Sequence, residues 1–497
     1  MPHVSHVRQE VVDKAEAWKL ISDCIAGQEK IKKEGETYLP KPNATDTSAE
    51  NTARYTAYLR RAVFYNVTAR TLRGLIGQVF SRDSVITLPA TLNMLQEDVE
   101  GSGVNLDQQA KRALSNVLAF GRAGLLADFP VANGAVTKAQ VDSGKIRPIL
   151  KLYRPEDIIN WRTALFGAKT KLSLVVLRES YDKDDDGFQV TSEIQYRVLR
   201  LNKDEQYTVT IYREVVGLTG SDAKKTSEWI AHGAEMLVTD HTGSAFNEIP
   251  FTFIGAENND SEVDPSPLYD LAVLNAAHYR NSADYEDSAF MVGQPTPWIS
   301  GLSQQWVKEV LKGTVHLGAR GFLPLPKDAS AGLLQAEPNT MCKEAMDHKE
   351  RQMVALGAKL VEQREVQRTA TEAGQEEAAE SSSLSSAVKN VSTAYTLALR
   401  WAGRFIATFA DTAIEYELNS DFDLSKMTPE ERSQLIKEWQ SDAISFTEMR
   451  WNLTRGGVAF QKDEEAKAEI ESNPAIKIDP LTEAQTNAIN ASIGAGE

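Results

Sequence analysis

Between Ser266 and Phe409 the chain sets out three helical stretches of unequal kind, and their order restricts the fold more than any other feature. Ser266 to Met291 reads as one helix, which Gly293-Gln-Pro-Thr-Pro297 stops. Residues 293–338 carry glycine and proline at short intervals around a short helix near Ser303–Leu311, which predicts a small α/β insertion. Asn339 to Val361 is helical again. A polar gap follows, and then the most regular helix of the chain. Leu384, Val388, Val391, Tyr395, Leu399, Ala402, Phe405, Ile406 and Phe409 form one apolar stripe, with steps mostly of three and four. The two helices around the insertion and the long striped helix have too little local partner sequence to be buried in one copy, so a closed homo-oligomer is expected.

The flanking regions are of other kinds. The first hundred and thirty or so residues read as mostly helical. Val11 to Ile31 is amphipathic, Tyr55 to Phe80 keeps helical intervals, and Asn105 is placed to cap a helix through Leu118. Ala123 to Asp128 looks like a short buried strand. From about Ile146 to Phe253 the pattern changes to strands, at 149–153, 172–177, 194–199, 207–212 and 249–254. The expected class is α+β. Toward the C-terminus, Thr428-Pro-Glu-Glu431 and Ser445-Phe-Thr-Glu448 are capping boxes, and Gly456-Gly457 ends the second helix. The tail from Gln461 is charged and then Ala/Asn/Gly-rich.

Composition excludes several functions. At 497 residues two or more lobes are the default. A net charge of −16 repels phosphates, so any nucleic-acid contact has to be local or loose. Cys24 and Cys342 stand too far apart for a disulfide scaffold and fit a reducing cytoplasm. The N-terminus has no apolar core of a signal peptide, and no apolar run approaches the ~20 residues of a membrane span, so no membrane partner is expected. No GxSxG, HExxH, Walker loop or GxGxxG is present, and the seven histidines are scattered. His278 reads as a packing or hydrogen-bonding residue. No catalytic role is expected.

One short motif fits a known spacing. Asp182-Lys-Asp-Asp-Asp-Gly-Phe-Gln-Val-Thr-Ser-Glu193 matches a calcium loop, with Asp182, Asp184 and Asp186 as monodentate ligands, the Phe188 carbonyl as a fourth and Glu193 as a bidentate one. This nominates calcium as the only cofactor and an acidic calcium-binding adhesion or interaction protein as an alternative function. The competing reading is a solvated hairpin loop. Both flanks read as strands, and Gln189 stands where an aliphatic residue is usual.

Several segments resemble the portal proteins of tailed bacteriophages. They are Tyr58-Leu-Arg-Arg-Ala-Val-Phe-Tyr-Asn66 continuing to Phe80, Phe120-Gly-Arg-Ala-Gly-Leu-Leu-Ala-Asp-Phe-Pro130, and Tyr153-Arg-Pro-Glu-Asp-Ile-Ile-Asn-Trp161. They continue with Ile249-Pro-Phe251, Pro267-Leu-Tyr-Asp-Leu-Ala272, His278 to Tyr285, and Arg368-Thr-Ala-Thr-Glu-Ala373. Their order is the family's order, over roughly residues 50–460. The resemblance implies a homo-oligomeric ring of about twelve copies at a capsid vertex of the virion, made in the host cytoplasm. Double-stranded DNA would pass through it during packaging and ejection. The implied partners are the terminase large subunit, the major capsid or scaffold protein and head–tail adaptor proteins. The implied parts are a wing (1–265 and 377–425), a stem (266–291 and 339–361), a clip (292–338), a tunnel loop (362–376) and a crown (426–497). The match is poor over the crown.

Acidity suits such a channel, since neutralising phosphates strengthens binding and a conduit should not grip. Asp270, Asp284, Glu286 and Asp287 against Arg280 give the first stem helix a net −3, a candidate channel lining. Lys359, Arg364 and Arg368 are the candidate DNA contacts. They form either a basic collar that touches phosphates without reading bases, or a helix connector whose arginines pair with Glu362, Glu365 and Glu372.

Overall fold

The computed structural model describes residues 3–129, 146–219, 224–294, 296–309, 325–334, 340–357, 370–420, 429–441, 443–455, 458–459 and 463–472. The chain divides into two compact units, Met1–Ser420 and Asp421–Glu497.

The first unit opens with α1 (Gln9–Ala26) and α2 (Gln28–Glu34). The pattern over Val11–Ile31 predicts one helix, and Gly27 breaks it. Its φ of +91° suits glycine alone, and a Cβ there would meet Asn66 Nδ2 at 3.0 Å. The stretch Tyr55–Phe80 also resolves into two helices, α3 (Ala49–Arg61) and α4 (Val67–Val79). Ala62 is already extended at φ −51°, ψ 137°, and Asn66 starts the second helix by accepting from the Ala69 N–H at 3.0 Å. After β1 (Val85–Thr87) and the single turn α5 (Met94–Glu97) comes α6 (Leu106–Phe120). Asn105 and Gln108 cap it reciprocally at 2.8 and 3.2 Å.

Strands follow: β2 (Arg122–Asp128), β3 (Ile149–Tyr153), β4 (Ile158–Phe166), β5 (Lys169–Asp185), β6 (Val190–Leu201), β7 (Tyr207–Thr219), β8 (Lys224–Ala231), β9 (Met236–Leu237) and β10 (Phe251–Gly255). They form two antiparallel sheets. One has the order β10-β2-β3; the other runs β4-β5-β6-β7-β8, with β9 also on β7. The sequence pattern finds only the apolar inner parts of β5, β6 and β7. The outer parts of β5 and β6 are mostly polar, and that of β7, from Arg213 to Thr219, sets Val215, Val216 and Leu218 among polar residues without a clear alternation.

The rest of the unit is α7 (Tyr269–Val292), β11 (Thr296–Ser300), α8 (Gln304–Glu309), β12 (Ser330–Leu334), α9 (Met341–Ala355), α10 (Ala370–Arg404) and β13 (Glu415–Glu417). β11 pairs with β12 inside the insertion, and β13 pairs with β1. Residues 370–376, expected within a loop, are the first turns of α10. Phe405 to Phe409, expected to prolong that helix, lie beyond its end at Arg404.

The core lies where β2, buried almost throughout, meets α6 and α10. Leu384, Ala387, Val388, Val391, Tyr395, Ala398, Leu399 and Ala402 of α10 are all buried. The Tyr395 hydroxyl donates to Gln109 Oε1 at 3.0 Å, and Trp18 Nε1 donates to the Phe120 carbonyl at 3.0 Å. A polar seam joins the two sheets. Arg197 bridges Asp128 at 3.1 Å and Glu179 at 3.0 Å, and the Tyr153 hydroxyl donates to Glu179 at 2.6 Å. Burial alone would raise the Glu179 carboxyl. Arg197 and Lys151, with hydrogen bonds from Tyr153 and Gln195, instead hold it below its ordinary value.

The second unit contains α11 (Pro429–Gln440), α12 (Phe446–Arg455) and α13 (Asp463–Ser472). The capping box expected at Ser445 and Glu448 is formed in both directions, at 3.2 and 2.7 Å. Trp439 meets Phe446 edge to face across the α11–α12 turn.

Candidate functional site

The helices α7 and α9, which bracket the insertion, are packed against each other. Polar side chains tie α7 to the N-terminal helices. Asn275 accepts from the Thr68 N–H at 3.1 Å and the Thr68 hydroxyl at 2.9 Å, and donates to the Tyr65 carbonyl at 2.7 Å. The Ser282 hydroxyl accepts from the Val63 N–H at 3.2 Å. His278 is buried, with Nε2 3.2 Å from the Glu350 carboxylate of α9, the packing role its surroundings predict. Cys24 of α1 lies beneath α7, its thiol 3.8 Å from the Ala272 carbonyl and pushed up to about 12 by burial.

The four acids of α7 do not form one uniform wall. Asp284 accepts from the Tyr58 hydroxyl at 2.5 Å, and Asp287 pairs with Arg61, whose guanidinium also lies 4.3 Å over the Phe290 ring. Half the acidic set is therefore braced by α3, and counting Arg61 with Arg280 against the four carboxylates brings the net from −3 to −2. Asp270 is exposed and Glu286 half-buried. Burial, then the hydrogen bond to Asp284, raise the Tyr58 hydroxyl, so it stays a neutral donor. Sequence reading missed Tyr58 and Arg61 because they stand 226 positions from their partners.

The outer face of α7 carries apolar side chains instead. Tyr269, Val273, Tyr285, Phe290 and Met291 are exposed, as are Met341 and Leu356 of α9. A helix with apolar residues on both sides is half covered in one copy. A cleft of about 620 Å³ opens beside it, lined by Thr71, Leu75, Leu118, Leu356, Leu384 and Ala387 among others.

The calcium loop is not built. Residues 182–193 are the end of the β5–β6 hairpin, with Asp182 opposite Ser192 and Tyr181 opposite Glu193. Their oxygens serve the hairpin. Asp182 accepts from the Ser192 hydroxyl at 2.8 Å, Asp186 from the Phe188 and Gln189 N–H groups at 2.8 and 2.6 Å, and Glu193 from Lys183 at 2.7 Å. Two extended strands hold Asp182, Asp184 and Glu193 along a ladder instead of coiling them around a centre, and the Phe188 side chain stands fully in solvent. Among the described residues no group of three or more His, Cys, Asp or Glu side chains is arranged to hold a metal ion. Lys359, Arg364 and Arg368 lie outside the described residues.

A second residue that sequence reading missed is Arg122. Its guanidinium is 2% exposed and lies 4.1 Å from the Trp161 ring and 3.8 Å from the Phe253 ring, with no hydrogen-bond partner on its three nitrogens. Burial lowers it to about 9, which leaves it charged at neutral pH.

A family model described as a domain of unknown function (DUF4055) matches residues 267–406, the span from α7 through α10. No curated protein matches. Among solved structures the chain is similar to one in the virion of a native gene transfer agent particle, with TM-score 0.40, 14% identity, and coverage of 80% of this chain and 92% of that one. It is also similar to a chain in the neck of an empty gene transfer agent particle computed with C6 symmetry, with TM-score 0.41, 13% identity, and coverage of 82% and 93%. Among the described residues no helix is long and apolar enough to cross a membrane.

Proposed function

We propose that the chain is the portal subunit of a phage-like particle, one of about twelve copies in a ring at the capsid vertex. Double-stranded DNA enters and leaves through the ring. The terminase large subunit and the head–tail adaptors dock on it, and the capsid or scaffold protein holds it in the virion. Its work is structural, and the motor chemistry belongs to the terminase.

The observation that carries this reading is the helix α7, braced on one side by α1, α3, α4 and α9 and lined with exposed aromatic and aliphatic side chains on the other. Cyclic repetition supplies the missing cover, because each copy offers the next a surface that one copy alone cannot bury. The order of helix, insertion, helix and long helix, together with the ordered sequence resemblance, supports the same assignment. No observation among the described residues favours the calcium-binding adhesion protein. Rotational averaging of negative-stain images of the full-length protein tests the proposal, with closed rings around a central hole expected. A particle of only about 55 kDa by light scattering at high concentration refutes it.

A further inference from the structure

Two exposed surfaces of the first unit are opposite in charge and share an apolar centre. One is the β5–β6 hairpin end. Residues 182–193 carry five carboxylates against one lysine. Phe188 at the turn is 102% exposed, and Val190 and Ile194 beside it are 48% and 50% exposed. The main contacts of β5 and β6 are with each other, with β4, with β7 and with the turn at 155–157, so this end projects past the packed part of the sheet.

The other surface is the α3–α4 corner. In a chain of net charge −16, residues 51–82 hold six arginines and no carboxylate, one of the six, Arg61, being paired with Asp287 of α7. Arg54, Arg60 and Arg73 are exposed, and Lys32 Nζ lies 2.9 Å from the Arg60 carbonyl, adding to the same corner. Val63 and Tyr65, in the loop joining the two helices, are 48% and 47% exposed among these cations.

We infer that the hairpin end of one copy docks on the α3–α4 corner of the next. Phe188 packs on Val63 and Tyr65, and Asp182 and Asp184 face Arg60 and Arg73. The occupant is a second copy of this chain because both halves of a charge-complementary pair with apolar centres are present once per chain. Two different patches that meet between copies make a heterologous contact, and such a contact closes into a ring when its rotation allows. Complementary charge around an apolar centre sets register and rejects wrong partners. The inference rests on the ring reading and adds which surfaces make the contact.

The test compares ring populations by mass photometry for four full-length proteins: wild type, Asp182→Arg/Asp184→Arg, Arg60→Glu/Arg73→Glu, and the chain carrying all four changes. All four substituted residues are exposed, and circular dichroism confirms that each variant is folded. Each reversal alone is expected to lower the ring population at fixed concentration by about tenfold or more, since like charges then face each other. The chain with all four changes is expected to recover rings, because the attraction is restored with its sign exchanged. Phe188→Ser, which alters no charge, is expected to weaken assembly as well. If wild type forms rings and the reversed variants form them equally well, this contact is wrong and the ring reading stands. A wild type that never assembles overturns both. Rings that persist in Arg60→Glu/Arg73→Glu while binding of a duplex DNA probe is lost would assign the arginine corner to nucleic acid and overturn the contact.

Discussion

The two longest helices of the first unit, α10 and α7, are built on opposite plans. From Leu384 onward α10 buries a regular stripe of apolar residues. Its buried hydroxyls are satisfied within the copy, with Ser392 donating to the Val388 carbonyl at 2.9 Å and Tyr395 donating to Gln109. On α7, Asn275, His278 and Ser282 are buried beside Leu271, Ala276 and Tyr279, while Tyr269, Tyr285 and Phe290 are exposed. The first helix is finished by its own chain. The second is held in place by specific hydrogen bonds and left apolar outside.

Substitutions separate the two plans. The largest loss of stability is expected where the sheets are joined. Arg197→Ala removes two charged hydrogen bonds from the half-buried Glu179 and Asp128 and leaves them Lys151 as their remaining cation, at a cost of about 3–5 kcal/mol in denaturant unfolding. Leu399→Ala in the α10 stripe is expected to cost about 2–5 kcal/mol. Asn275→Ala, which strands the Thr68 donors, is expected to cost about 1–3 kcal/mol. Tyr285→Ser with Met291→Ser, on the outer side of α7, is expected to change stability by no more than about 0.5 kcal/mol while abolishing rings. If that pair unfolds the chain, or leaves assembly intact, the contrast between the two helices fails.

The polar seam also gives a pH dependence with a definite sign. Glu179 is held below its ordinary value in the folded chain, so its contribution is present above the unfolded carboxylate range and is lost as pH falls through the depressed folded value. Glu179→Gln should lower stability at neutral pH and flatten its decline between about pH 5 and the acid limit. An unchanged acid profile would remove Glu179 from that account.

Much of the architecture was legible because it is written locally. The Asn105 cap, the ends of β3, the Ser445 box, the stop after α7 and the stripe of α10 each depend on residues a few positions apart. The breaks at Gly27 and at Ala62–Asn66 were not legible, since the helical period runs through both and only close packing of Gly27 against Asn66 shows why the chain turns. The acids of α7 were readable as a set, but not the bracing of two of them, because nothing periodic connects Tyr58 to Asp284. At 182–193 the spacing alone suggests a calcium loop, whereas the strand-like flanks and Gln189 suggest a solvated hairpin, and the strands pair as the second reading requires. Arg122 looks like any strand residue until Trp161 and Phe253 close over it.

One consequence of α10 is mechanical. At 1.5 Å per residue its thirty-five residues make a rod about 52 Å long, of which the part from Leu384 to Arg404 is gripped by the core. That gripped part alone spans about 31 Å of helix axis. A rigid rod held over such a length cannot yield at one turn without moving the next, so α6, β2 and β10 shift with it as one body.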